Sequence, residues 1–190
     1  MKKIMFNDQY GLTKAVLSGY KTVTRRIMNR QPDPDDIAYM EPKDYPCQPP
    51  YKVGEIVAVA QRYQELDNEW CRNHVGVHPA ESPYSSCENM AGWNNKMFVR
   101  AEACKHQIRI TSVRPERLQK ITDVDCLKEG LEWQYGANMF YVNYNHTNNS
   151  RELLGDTPRE AFASLIDKIS GRRIWERNPF VWRIEFKLVK

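Results

Sequence analysis

Apolar residues recur along the chain in two rhythms, and the changes of rhythm mark the expected elements. Trp182, Ile184, Phe186 and Leu188 alternate with Arg183, Glu185 and Lys187. This period of two predicts a half-buried strand over Val181–Val189. Upstream, Ala161, Phe162, Leu165, Ile166 and Ile169 recur at helical spacing. Thr157 is placed to cap that helix, Pro158 to begin it, Glu160 to complete a capping box and Gly171 to stop it, so a helix is predicted over Pro158–Ile169. A shorter helix is expected over Ile121–Leu131, capped by Thr122 with Asp125 three residues on and ended by Gly130.

The first third follows the same logic. Lys3–Phe6 is a short apolar strand candidate. Leu12, Ala15 and Val16 have helical spacing, with Asn7 or Asp8 as cap and Gly19 as stop. Lys21–Ile27, with Thr22, Val23 and Thr24 in succession, reads as a strand. Ile56–Ala60 reads as a buried strand, Met97–Ala101 and Gln107–Val113 as further strands, and Trp133–Tyr144 as a strand pair. Residues 31–36, 42–50 and 143–149 are turn-rich or polar connections. Residues 63–95 are polar and punctuated by Gly76, Pro79, Pro83 and Gly92, and are expected to be an irregular surface insertion spanning about 63–97.

There is no repeat and no parallel βαβ rhythm. Several strands with a few short helices imply an α+β fold, a small barrel or curled mixed sheet. At 190 residues a single domain, 1–190, is the expectation. No apolar run approaches the ~20 residues of a membrane helix, and no apolar segment follows the basic start, so no membrane partner and a cytoplasmic location are expected. The five cysteines are odd in number with no C-x-x-C pair, and read mostly as free thiols.

Charge sharpens the picture. The net charge is only +4, but residues 1–30 carry seven Lys and Arg against Asp8 alone. Residues 96–120 and 168–190 each carry seven against two acids. Three basic segments on one face would meet a polyanion; solvated strand edges account for them equally.

Two features carry candidate chemistry. In Gly19-Tyr20-Lys21-Thr22-Val23-Thr24-Arg25-Arg26, a regular strand would turn Lys21 away from Thr24. A bend at Gly19–Lys21 would let the lysine swing back, and a threonine hydroxyl beside an unprotonated amine is a nucleophile–base pair. Burial and the neighbouring Arg25 and Arg26 would lower the lysine pKa. A basic strand with exposed threonines accounts for the same residues. The second feature is Glu129, an acid in the last helical turn, where the helix dipole disfavours it.

Gly19-x-Lys21-Thr22-x-Thr24-x-Arg26 resembles the signature of ASCH-domain proteins, whose fold is a PUA-like β-barrel. Leu118-x-x-Ile121-Thr122 followed by Glu129 is similar to that family's segment leading to its acidic residue, and Trp182-x-Ile184-Glu185-Phe186 to its closing strand. Val53-Gly54-Glu55 and residues 93–100 resemble ASCH proteins encoded by phages and prophages. The resemblance covers most of 3–62 and 93–190, and is weak over 63–92. It implies a small mixed barrel with flanking short helices and a nucleoside or RNA partner. In the subgroup that deacylates acetylated cytidine, it implies a catalytic triad of Thr24 as nucleophile, Lys21 as base and Glu129 as acid or proton shuttle. Arg26 would orient Glu129 or steady an oxyanion, with Thr22 and Gly19 lining the substrate site. Other members are linked to RNA binding or ribonuclease activity, so the fold leaves these alternatives open.

Cys71, His74, His78 and Cys87 are the right residue types for a tetrahedral zinc site, at unusual spacing. Tyr135, Phe140, Tyr141 and Tyr144 near His146 suit base stacking or cross-strand packing. No P-loop, dinucleotide fingerprint or HExxH motif occurs, and no cofactor is expected.

Overall fold

In a computed structural model, the chain is described over residues 1–33, 40, 44–144 and 150–189. Of the expected turn-rich segments 31–36 and 42–50 and the polar loop 143–149, residues 34–36, 42–43 and 145–149, His146 among them, lie outside the described residues. The elements run β1 (Lys3–Ile4), α1 (Leu12–Leu17), β2 (Val23–Ile27), β3 (Ile56–Val59), α2 (Tyr63–Asn73), β4 (Gln107–Arg117), α3 (Asp123–Lys128), β5 (Glu132–Gln134), β6 (Met139–Tyr144), β7 (Ser150–Gly155), α4 (Pro158–Ser170), α5 (Ile174–Arg177) and β8 (Phe180–Leu188). They form a mixed five-stranded sheet, ordered β1-β3-β4-β8-β2, and a three-stranded sheet, β5-β6-β7. The α+β expectation holds. The barrel does not: among the described residues no sheet closes, and β1 and β2 stand at the ends of the strand order. With only two residues, β1 offers little ladder for a further partner.

The residues group into two compact units. The first comprises Met1–Phe6, Ile56–Arg109 and Leu188–Lys190; the second comprises Asn7–Glu55 and Ile110–Lys187. In the first unit β1 pairs parallel with β3, and β3 antiparallel with the start of β4. Val57, Ala58 and Val59 are fully buried, so this strand is covered on both faces, as its uninterrupted apolar run requires.

The segment expected to be irregular contains α2. Tyr63, Leu66 and Trp70 lie three and four residues apart, and Leu66 packs with Ala58, Val99, Ala101 and Cys104. The Glu65 carboxylate accepts from Arg62 N at 2.8 Å, tying down the helix start. The strand expected at Met97–Ala101 is instead two short 3-10 turns, Lys96–Phe98 and Ala101–Ala103. Lys3 Nζ donates to the carbonyls of Lys96, Met97 and Val99 at 3.0, 2.5 and 2.5 Å, taking acceptors that a neighbouring strand would otherwise use.

In the second unit β2 pairs antiparallel with β8, placing Val23 opposite Glu185, Thr24 opposite Ile184, Arg25 opposite Arg183 and Arg26 opposite Trp182. Thr157 caps α4 as expected, its hydroxyl accepting from Glu160 N at 3.2 Å while the Glu160 carboxylate accepts from Thr157 N. Ala161, Phe162, Leu165 and Ile166 are buried. The three-stranded sheet leans on this helix: Ser164 Oγ donates to Leu154 O at 3.0 Å, and a Cβ on Gly155 would lie 2.8 Å from Ala161 N. Ile110 N donates to Glu55 O at 2.9 Å, so β4 resumes beside the residue where β3 was about to begin. Neither β7 nor α5 was expected from the sequence pattern. No helix among the described residues is long and apolar enough to cross a membrane.

Candidate functional site

The bend before β2 and the end of α3 are built to meet. Gly19 takes φ 79°, a left-handed conformation that a residue with a Cβ adopts only at a cost, and so turns the chain out of α1. Lys21 N then donates to Ala15 O at 2.9 Å, and Thr22 N to Lys128 O at 3.0 Å. The second bond sets Lys21 beside Glu129. Gly130, at φ 103°, completes the approach: a Cβ there would lie 3.3 Å from Leu12 and 3.6 Å from Lys21 Cβ.

Lys21 is 2% exposed and Glu129 4%. The Lys21 amine donates to the Glu129 backbone carbonyl at 2.8 Å and to Oε2 of its carboxylate. The expected convergence of an amine from the bend with a carboxyl 108 residues away is therefore present. Burial holds the Lys21 pKa below its ordinary 10.5, with Glu129 pulling the other way and the charges of Arg26 and Arg25 adding to the depression.

Around this pair lies a buried charge network that the sequence did not announce. Arg25 donates to Glu129 Oε1 at 3.1 Å, to Asp125 Oδ2 at 2.8 Å and to Glu116 Oε1 at 2.8 Å. Arg183 donates through Nε and Nη2 to both oxygens of Asp125, at 2.8 and 2.9 Å. Hydrogen bonds from Arg183, then from Arg25, draw the Asp125 pKa down to about 2 against the opposing effect of burial. The guanidinium that holds Glu129 is thus Arg25, where Arg26 was expected. Arg26 is half-buried beside Tyr51; burial lowers its pKa, and the Tyr51 and Glu129 charges oppose that lowering. Period two offered a signal for Arg25: in the strand expected over Lys21–Ile27, Arg25 falls on the same face as Lys21, the residue that the structure bonds to Glu129.

Thr24 is 5% exposed and lies between Val23 and Arg25 on β2. Its hydroxyl has no hydrogen-bond partner among the described residues, so the expected Thr24–Lys21 bond is not formed. Thr22 is half-buried and contributes its backbone, through Lys128 O and Phe186 N. Cys126 is fully buried on α3, and burial pushes its thiol up to about 12, which keeps it unreactive.

The four zinc candidates are not gathered. His74 stacks on Trp70 with centroids 4.3 Å apart, and its Nδ1 lies 2.8 Å from Trp70 O. His78 Nδ1 accepts from Ala80 N within its own turn. Among the described residues no group of three or more His, Cys, Asp or Glu side chains is arranged to hold a metal, Cys71 and Cys87 included. Of the aromatic set, Phe140 packs on Trp133 at 4.7 Å, and the Tyr141 hydroxyl donates to Glu132 at 3.0 Å. Tyr135 is exposed, and the Tyr144 side chain lies outside the described residues.

The arrangement supplies a buried amine of lowered basicity bonded to Glu129, a Glu129 carboxylate also held by the Arg25 guanidinium, and on β2 a Thr24 hydroxyl with no partner among the described residues. No family model, curated protein or solved structure matches the chain.

Proposed function

We propose that the second unit is an ASCH-like, PUA-related site that recognises a nucleobase or modified nucleoside in the cytoplasm and hydrolyses the exocyclic amide of an N-acylated cytidine. The observation that carries this reading is the buried Lys21–Glu129 pair, with Thr24, three residues after Lys21, bearing a buried hydroxyl that has no partner among the described residues. In the reaction, neutral Lys21 Nζ takes the Thr24 hydroxyl proton as Oγ attacks the amide carbonyl. The tetrahedral intermediate collapses as the C–N bond breaks, the Lys21 ammonium passes its proton to the departing amine, and the acyl group remains as a threonine ester. Water, deprotonated by Lys21, then attacks the ester, and Thr24 recovers its proton as the acid leaves. Glu129 holds the lysine in place and stabilises its protonated form in each half-reaction, and Arg25 keeps Glu129 ionised and aimed.

The test is incubation of the purified protein with acetylated cytidine, followed by chromatography. Release of cytidine and acetate by wild type, lost in Thr24→Ala and in Lys21→Met, supports the reaction. No release by wild type removes it.

A second reading, RNA or modified-base recognition without turnover, is favoured by one observation: the Lys21 amine is bonded to Glu129 rather than to Thr24. Binding of the acylated nucleoside without cleavage would select this reading.

A further inference from the structure

The second unit also presents a concentration of arginine at the turn after α4. Gly171 leaves the helix at φ 109°, and the four-residue α5 is bracketed by Arg173 at φ 63° and Asn178 at φ 45°. Left-handed backbone is uphill for residues bearing a Cβ and persists where surrounding contacts impose it. Here they do. The Asp167 carboxylate accepts from Arg173 N at 3.1 Å and Trp175 N at 2.8 Å. Gln119 donates from its side chain to Trp175 O and from its backbone to Asn178 Oδ1, each at 2.8 Å.

The outcome is a rigid turn whose exposed side chains carry one dominant sign. Arg172, Arg173 and Arg177 line an open depression of about 530 Å³, with Glu176 as the fourth lining residue. The Arg173–Glu176 pair is 3.9 Å apart and exposed on both sides, so it does little to cancel the cations. All three cations are arginines, whose planar forks match phosphate oxygens two at a time. No apolar residue lines the depression, so it offers nothing to insert into a lipid surface. The turn and the candidate site both contact Phe162 of α4: Trp175 meets its ring edge-on at 6.2 Å, and the Arg25 guanidinium stands 6.0 Å from it.

We propose that the Arg172–Arg173–Arg177 turn docks the phosphodiester backbone of a single-stranded RNA. The base handled near Lys21 and Glu129 is then one carried by a strand rather than a free nucleoside. This choice of partner rests on the nucleobase reading above; the turn's geometry and charge stand without it.

The experiment measures binding of a fluorescent single-stranded RNA by anisotropy at several salt concentrations. It compares wild type, the triple variant Arg172→Gln/Arg173→Gln/Arg177→Gln, and Arg72→Gln, with melting curves to confirm folding of each. The triple variant is expected to bind at least tenfold more weakly, with the slope of log affinity against log salt shallower by about two units. Arg72→Gln, which removes an exposed cation on α2, is expected to bind as wild type. Unchanged affinity and slope in the folded triple variant overturn the proposal. So does equal wild-type binding to polyglutamate or to anionic lipid vesicles, and so does absence of RNA binding by wild type. Turnover of acetylated cytidine is followed in parallel, and its absence counts against the hydrolase alone.

Discussion

Arg25 and Arg183 face each other across the β2–β8 ladder, and the Oδ2 atom of Asp125 accepts from both at 2.8 Å. Two guanidinium groups at paired positions repel, so the pairing depends on that carboxylate. Asp125 titrates at about 2 in the fold against an ordinary 3.8. A carboxylate with a depressed pKa contributes stability that is complete above its ordinary value and is lost as pH falls through the folded one. Denaturant titrations are therefore expected to show a loss of order 1–2 kcal/mol from this group between pH 4 and pH 2. Asp125→Asn, which leaves the arginines facing each other, should cost ~3–5 kcal/mol at neutral pH and lack that acid-dependent step. An acid step of the same size in a folded Asn variant contradicts the assignment.

Lys21 gives a second pH prediction. Burial lowers its pKa below 10.5, so the neutral amine becomes available at lower pH than for a free lysine. If the amine is the base, kcat/KM rises with pH through a midpoint below 10.5. Glu129→Gln removes an interaction that raises the lysine pKa, and should shift the midpoint further down. A profile whose midpoint is unmoved by Glu129→Gln separates the measured ionisation from Lys21.

The close approach of Gly155 to α4 predicts a packing defect. A Cβ at this position would lie 2.8 Å from Ala161 N and 2.9 Å from Glu160 Cβ, and the first of these is backbone. Gly155→Ala is expected to destabilise by ~1–3 kcal/mol, seen as a lower denaturation midpoint. An unchanged midpoint means that α4 and β7 are not in this contact.

In the first unit, Lys3 holds three carbonyls of the 96–99 segment. Lys3→Met leaves these acceptors without their cation, at a cost of ~1–3 kcal/mol, and amide exchange should quicken most in residues 96–103. Uniform exchange rates across the unit would show that the lysine is not the local clasp.

Much of the fold was legible because local signals agreed. Thr157, Pro158 and Glu160 announce α4, Thr122 caps α3, and the apolar positions from Trp182 announce β8, although the expected half-buried alternation fails: Val181 and Arg183 are buried with Trp182 and Ile184, and Leu188 is exposed. What was missed is physically distinct. α2 buries a single residue completely, Leu66, so its apolar stripe is faint beside the Gly and Pro that follow. The 97–101 segment is apolar enough for a strand, yet its carbonyls are taken by a lysine more than 90 residues earlier, which no local window contains. At the site, Lys21 and Glu129 were legible as a pair, while the roles of Arg25, Asp125, Glu116 and Arg183 follow from strand register and helix placement. Like charges on separate strands carry no sequence mark of being partners until the register is known.

The Glu55–Ile110 hydrogen bond sets the two ends of the intervening 54-residue stretch side by side, since Ile110 N lies 2.9 Å from Glu55 O. A gene that lost residues 56–109 could be rejoined through a connector of very few amino acids without stretching the remaining backbone. A trimmed derivative spliced at that junction would retain Lys21, Thr24 and Glu129 and would leave β1 without β3, the strand it pairs with.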